Sequence, residues 1–164
     1  KKVSEEYFAV CRSSKRIARL PLPQRWSAIL GGRILWKFTT FMFVRKETVK
    51  QLSREMSLPY KGNEQDWDIE LADKNRVDEF ISFYNDNDLS NDMKYAAMSI
   101  ILASYDYLLD DTEIDRDYRW YEIERMLKSE KQLFSDLIEY WAVETEIEDV
   151  FRITPLVREV RATW

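Results

Sequence analysis

The chain contains no histidine among its 164 residues. That removes the side chain most used for acid–base chemistry near neutral pH, and the commonest metal ligand with it. Histidine-containing nucleophilic triads and His-bearing zinc sites, the zinc deaminase signature included, are excluded. Cysteine is almost as scarce. Cys11 stands alone, so neither an internal disulfide nor a thiolate metal cluster can form, and a reduced, cytoplasmic setting is expected. The 3 glycines and 4 prolines are too few for the many tight turns of a sandwich or barrel. Gly31-Gly32 is followed by Arg33, which matches neither the phosphate-binding loop nor the dinucleotide fingerprint. Long apolar runs are missing too. The most apolar stretch, residues 34–44, is about half a membrane span and contains Lys37, so no integral membrane protein is expected. Lys1 and Lys2 lead into Ser4, Glu5 and Glu6 rather than an apolar stretch, so no signal peptide is expected.

What the chain does have is charge, unevenly placed. Residues 1–61 hold 14 Lys/Arg against 4 Asp/Glu, while residues 62–164 hold 11 against 26. The formal net charge of −5 hides a balance of +10 followed by one of −15. Charge of this kind speaks to partners more than to fold. With 45% hydrophobic and 14% aromatic residues, a chain of this size can bury about 70% of its unfolded surface without a metal or disulfide. One domain over residues 1–164 is expected, basic over 1–61 and acidic and helical over 74–164.

The pattern along the chain is helical. Ser4-Glu5-Glu6 reads as a helix start, and Leu20-Pro21-Leu22-Pro23 interrupts that helix. Trp26, Leu30, Ile34, Phe38, Phe41 and Met42 keep helical spacing, yet Gly31-Gly32 and the β-branched and aromatic content also fit a hairpin. Helix and hairpin both stand for residues 26–44. A helix over 46–57 ends before Pro59, and Gly62-Asn63 marks a turn in a surface loop. Asp73 reads as a cap for a helix with Val77, Phe80, Ile81 and Tyr84 on one face. Ser90 reads as a cap for the next, with Met93, Ala96, Ala97, Ile100, Ile101, Ser104, Tyr105 and Leu108 on one face. Trp120, Ile123 and Leu127 mark another helix. Ser129 and Gln132 have capping-box spacing ahead of Leu133, Phe134, Leu137, Ile138 and Trp141. Thr154-Pro155 announces a last helix as cap and first helical residue. The expected class is all-α, a single-domain multi-helix bundle. A short helix followed by a longer one occurs twice, about 40 residues apart, a weak hint of helical-pair repeats.

Candidate chemistry is thin. Cys11 lies near Arg12, Lys15 and Arg16, but with no His partner it reads as a small buried apolar residue. Asp86, Asp88, Ser90 and Asp92 alternate like the first ligands of a calcium loop. Asn91 stands where that loop needs glycine, and Ala97 where it needs a bidentate glutamate. No specific metal and no cofactor are expected, and nothing singles out a catalytic carboxylate pair, so the chain reads as a non-enzyme.

Two partner classes remain. Asp110, Asp111, Glu113, Asp115 and Asp117, with Glu144, Glu146 and Glu148, form acidic stretches that fit a basic protein. In composition the chain is similar to small acidic helical proteins, such as immunity proteins and antitoxins, that cover a nuclease's basic active site. The alternative lies in the first half, where Arg12, Lys15, Arg16, Arg19, Arg25, Arg33, Lys37, Arg45, Lys46, Lys50 and Arg54 interleave with Trp26, Trp36, Phe38 and Phe41. Phosphates take the cations and unpaired bases stack on the rings, so nucleic-acid binding is the second expectation. Residues 48–59 resemble the first helix and turn of a helix-turn-helix only loosely, because acids occupy the positions where a recognition helix would sit. The charge balance also fits pairing of the two halves, within one chain or across a homo-oligomer.

Overall fold

The computed structural model describes residues 44–143 and 151–164. The helix opening at Ser4, and all but the last residue of the helix or hairpin expected over 26–44, lie outside the described residues. The described residues form an all-helical domain. Its described elements are α1 (Lys46–Glu55), α2 (Trp67–Glu70), a 3-10 turn (Lys74–Arg76), α3 (Val77–Asp86), α4 (Asn91–Thr112), α5 (Tyr118–Ser129), α6 (Lys131–Trp141) and α7 (Thr154–Ala162). No strand occurs among the described residues.

Helix α4 is the axis on which the others pack. Helices α1, α2, α3 and α6 and the 3-10 turn all contact it. The face expected from periodicity is buried, except that Leu108 is only partly so. Tyr95, Met98, Ser99, Leu102, Ala103, Asp106 and Leu109 are buried as well. A helix apolar nearly all round is covered on all sides, and Ala96, Ala97 and Ala103 let neighbouring helices come close. Each fully buried Leu, Ile or Met here contributes about 1.5–3 kcal/mol before chain entropy is subtracted. The polar groups on α4 are put to use. Ser99 Oγ donates to the Tyr95 carbonyl at 3.0 Å, and Ser104 Oγ accepts the Asp73 N–H at 3.0 Å, pinning the 3-10 turn to the axis.

The ends of α1 and the adjoining loop are built from local chemistry. Leu58 N–H bonds the Ser53 carbonyl at 2.8 Å and Ser57 N–H the Arg54 carbonyl at 3.4 Å. With Ser57 at φ 52°, this is a Schellman ending, and Pro59 prevents continuation. Val49, Leu52, Met56 and Leu58 are buried. Gly62 takes φ 90° in the expected turn, where the Glu64 carboxylate accepts the N–H groups of Lys61 at 2.6 Å and Gly62 at 2.8 Å. The next helix is the single turn α2, packed on α4, so no recognition helix succeeds α1. Desolvation of the half-buried Asp68 carboxyl in α2 pushes it up to about 6.

Two expected caps are replaced by longer-range contacts. Ser129 does not start α6: it ends α5, and its hydroxyl donates to the Met126 carbonyl at 2.9 Å. The joint is Glu130, whose carboxylate takes the Tyr84 hydroxyl and Lys94 Nζ, both at 2.9 Å. A single residue thus ties the α5–α6 corner to α3 and α4. Thr154 is the first residue of α7 rather than its cap, which moves Pro155 from the expected first helical position to the second, still within the first turn. Its hydroxyl is buried without a hydrogen bond. Asp106 on α4 instead accepts the N–H of Ile153, the cap residue, at 3.0 Å. Helices α3 and α4 have 10 and 22 residues and α5 and α6 have 12 and 11, so the two pairs are not copies of one unit.

Candidate functional site

The acidic segment expected to meet a partner joins α4 to α5. Its placement is set by the end of α4. Asp110 and Asp111 lie in the last turn, which contains no basic residue, and Glu113 terminates the helix at φ 54° and ψ 21°. Asp110, Asp111, Glu113 and Asp115 are all exposed. A helix C-terminus carries the negative end of the macrodipole, where cations stabilise and anions destabilise by about 0.3–1 kcal/mol each. The left-handed conformation of Glu113 is one that glycine adopts without strain. Local helix chemistry is broken at this end in two ways at once. Lys74 offsets part of the charge by pairing with Asp111 at 2.5 Å, both groups well exposed, which is worth under about 1 kcal/mol.

Asp117 belongs to the fold rather than to this surface. Its Oδ1 accepts the Arg119 N–H at 3.0 Å, capping α5, and the Tyr105 hydroxyl at 3.2 Å. The Tyr105 oxygen in turn accepts the Asp117 N–H at 3.1 Å. Burial pushes the Tyr105 hydroxyl up to about 12, so it stays a donor. The other Asp117 oxygen takes the Arg119 guanidinium. Arg119 reaches on to α3, where Asp78 Oδ2 accepts from Nε at 2.9 Å and from an Nη at 2.7 Å. Hydrogen bonds from Arg119 hold the Asp78 carboxyl below its usual value; the bonds to Asp78, then to Asp117, raise the guanidinium further. The Tyr118 hydroxyl donates to Asp78 Oδ1 at 2.8 Å, and the Arg119 guanidinium carbon stands 4.7 Å from the Tyr118 ring centroid. Two carboxylates and an aromatic face thus surround one guanidinium.

Close to the acids in sequence are exposed large apolar side chains that periodicity did not single out. Among the described residues the exposed large apolar side chains are Tyr107, Ile114, Tyr118, Tyr121 and Trp164. Four of the five fall between positions 107 and 121, around the acids. Tyr118 and Tyr121 are one turn apart on α5, away from the buried stripe of Trp120, Ile123 and Leu127. The signal was available: once that stripe defines the inner face, any large apolar residue off it must stand in solvent.

The remaining candidates divide. Glu144, Glu146 and Glu148 lie outside the described residues, as do Arg12, Lys15, Arg16, Arg19, Arg25, Arg33, Trp36 and Lys37. Of the basic residues that are described, Arg45 bonds Asp92 through Nε at 3.0 Å, joining a cation of the first half to an acid of the second. In the calcium-like series, Ser90 Oγ caps α4 by accepting the Met93 N–H at 3.4 Å, and Asp92 is the partner of Arg45. Among the described residues no three or more Cys, Asp or Glu side chains converge to hold a metal ion. Nor is any described helix long and apolar enough to cross a membrane. Comparison with protein-family models, curated proteins and solved structures gives no match to this chain.

Proposed function

We propose that the protein is a non-enzymatic helical interaction protein whose acidic C-terminal half binds a basic protein partner, as an inhibitor or immunity-type factor does. The observation that carries this reading is the placement of Asp110, Asp111, Glu113 and Asp115 together at the negative pole of a 22-residue helix. Folding alone favours lysine, arginine and a terminal glycine there. Departures from local rules that destabilise the fold are expected where function requires them. Four carboxylates within six residues steer a positively charged surface and pair with it on contact. The lone Cys11 is in keeping with a cytoplasmic setting.

The test compares capture of basic proteins from a source-cell lysate by the full chain and by the variant D110N/D111N/E113Q/D115N. Asp117 is left in place because it caps α5. A protein held by the wild type, released by salt and lost by the variant supports the reading. Equal capture by both removes the segment from that role.

A second reading is favoured by the +10 balance of residues 1–61, which suits a nucleic-acid phosphate backbone. Changing Arg12, Arg16, Arg19 and Arg25 to Gln then flattens the salt dependence of nucleic-acid binding. An unchanged slope rejects those contacts.

A further inference from the structure

We propose that the tyrosine face at the start of α5 is the guanidinium-binding part of this surface, receiving arginine side chains of the basic protein partner; the inference rests on the acidic-surface reading and names the chemistry recognised. Tyr118 and Tyr121 are 63% and 64% exposed. Tyrosine is enriched in interfaces and, with arginine and tryptophan, dominates their hot spots. Charge complementarity names the occupant. Asp110, Asp111, Glu113 and Asp115 precede these rings in an exposed segment, which repels phosphate and attracts cations.

Arginine is favoured over lysine by what the surface already does. Arg119 is held by the Asp117 and Asp78 carboxylates with its guanidinium 4.7 Å from the Tyr118 ring centroid. A planar guanidinium stacks on an aromatic face and bonds a carboxylate through two N–H groups at once; a compact ammonium does the first poorly and the second not at all. Tyr121 offers the same kind of ring one turn on, exposed and without a cation over it among the described residues. Glu122 and Arg125 flank it as an exposed ion pair at 2.8 Å; Arg125 also bonds Asn85 at 3.1 Å, so it can keep a partner while Glu122 turns to an incoming arginine, an exposed pair costing little to exchange.

The test titrates the full chain with fluorescent oligo-arginine and oligo-lysine peptides of equal length, at about 10 mM ionic strength, where exposed charges act over about 30 Å. The arginine peptide binds tighter by about two- to five-fold for each ring that stacks. Tyr121→Ala removes most of that preference with the helical circular dichroism unchanged, and Tyr121→Phe keeps it. The variant D110N/D111N/E113Q/D115N weakens both peptides alike. Equal affinity for the two peptides, with the acid variant still weaker, overturns the guanidinium inference and leaves the acidic-surface reading standing. If the acid variant binds as well as the wild type, the acidic-surface reading falls, and this inference with it. A concentration-dependent dimer that Tyr121→Ala dissociates also overturns the inference, because a second copy then occupies the face.

Discussion

The two ends of α4 obey opposite rules. At its N-terminus Ser90 supplies a hydroxyl cap and Asp92 puts a negative charge near the positive pole, where Arg45 also pairs with it. At its C-terminus the last turn has acids and no base, and a glutamate takes the left-handed position. Both ends belong to the same buried axis, so the contrast is not one of core against periphery. The N-terminal end is built for stability and the C-terminal end against it. The difference separates what the fold requires of this helix from what it merely tolerates.

The largest effect is expected just inside the C-terminal end. Asp106, 2% exposed, is the buried acid that holds the Ile153 N–H at the head of α7. Asp106→Ala leaves that donor unpaired and costs about 2–3 kcal/mol, read as a lower urea midpoint. Asp106→Asn keeps an acceptor and loses less. If Asp106→Ala unfolds at the wild-type midpoint, α7 is held by its apolar face and its other polar contacts, such as Arg161 to Glu139 and Glu159 to Arg116, without need of this bond.

Next comes the arginine that closes the α4–α5 corner. Arg119→Met strips Asp117 and Asp78 of their shared cation and costs about 1–2 kcal/mol, since half of that network is open to solvent. The pH dependence has a definite sign. The Asp78 carboxyl is depressed from 3.8 by Arg119, so its contribution is present above the unfolded value and is lost as pH falls through the folded one. Wild-type stability therefore drops more steeply than that of Arg119→Met below about pH 4. Parallel acid limbs in the two proteins would show that the pair contributes nothing measurable.

Asp68 gives the opposite slope. Desolvation at its half-buried position raises its carboxyl from 3.8 to about 6, so the folded state binds the proton more tightly than the unfolded one. Stability then falls as pH climbs from about 4 to about 6, and Asp68→Asn removes that fall, gaining about 1–3 kcal/mol at neutral pH. Denaturant midpoints of the two proteins at pH 4 and pH 7 decide it: a constant gap between them contradicts the shift.

Much of this fold was legible in the sequence because α3, α5, α6 and α7 each carry one apolar stripe, and a stripe is a local pattern. The full burial of α4 was not, since its second face of Tyr95, Met98, Leu102 and Leu109 shows only when four helices converge on it. Caps were legible where the side chain had no competing partner, as at Ser90, whereas Asp73 caps the 3-10 turn ahead of α3 and α3 itself starts after Arg76 without a side-chain cap. They were misread where a distant group won: Glu130 is drawn to Tyr84 and Lys94, and the head of α7 to Asp106. The acidic segment illustrates both outcomes. Its charge was plain from the sequence, but only the fold separates the exposed Asp110, Asp111, Glu113 and Asp115 from Asp117, which bonds Tyr105 and Arg119.

The smallest effects test the two ends of α4 most directly, because they run in opposite directions. Ser90→Ala removes a working cap, whose hydrogen bond is long at 3.4 Å, and costs about 0.5–1 kcal/mol. Glu113→Gly relieves a left-handed residue and deletes a charge at the wrong pole, gaining about 0.5–1 kcal/mol after the extra freedom of the unfolded chain is subtracted. Both are read as shifts in the same melting curve. A gain from Glu113→Gly accompanied by weaker binding to a basic peptide marks Glu113 as a residue kept for contact at the expense of stability. A gain with binding intact marks it as a flaw the fold carries without use, and moves the weight of recognition onto Asp110, Asp111 and Asp115. No gain at all would mean that the segment already relaxes around Glu113, and the contrast between the two ends would reduce to charge alone.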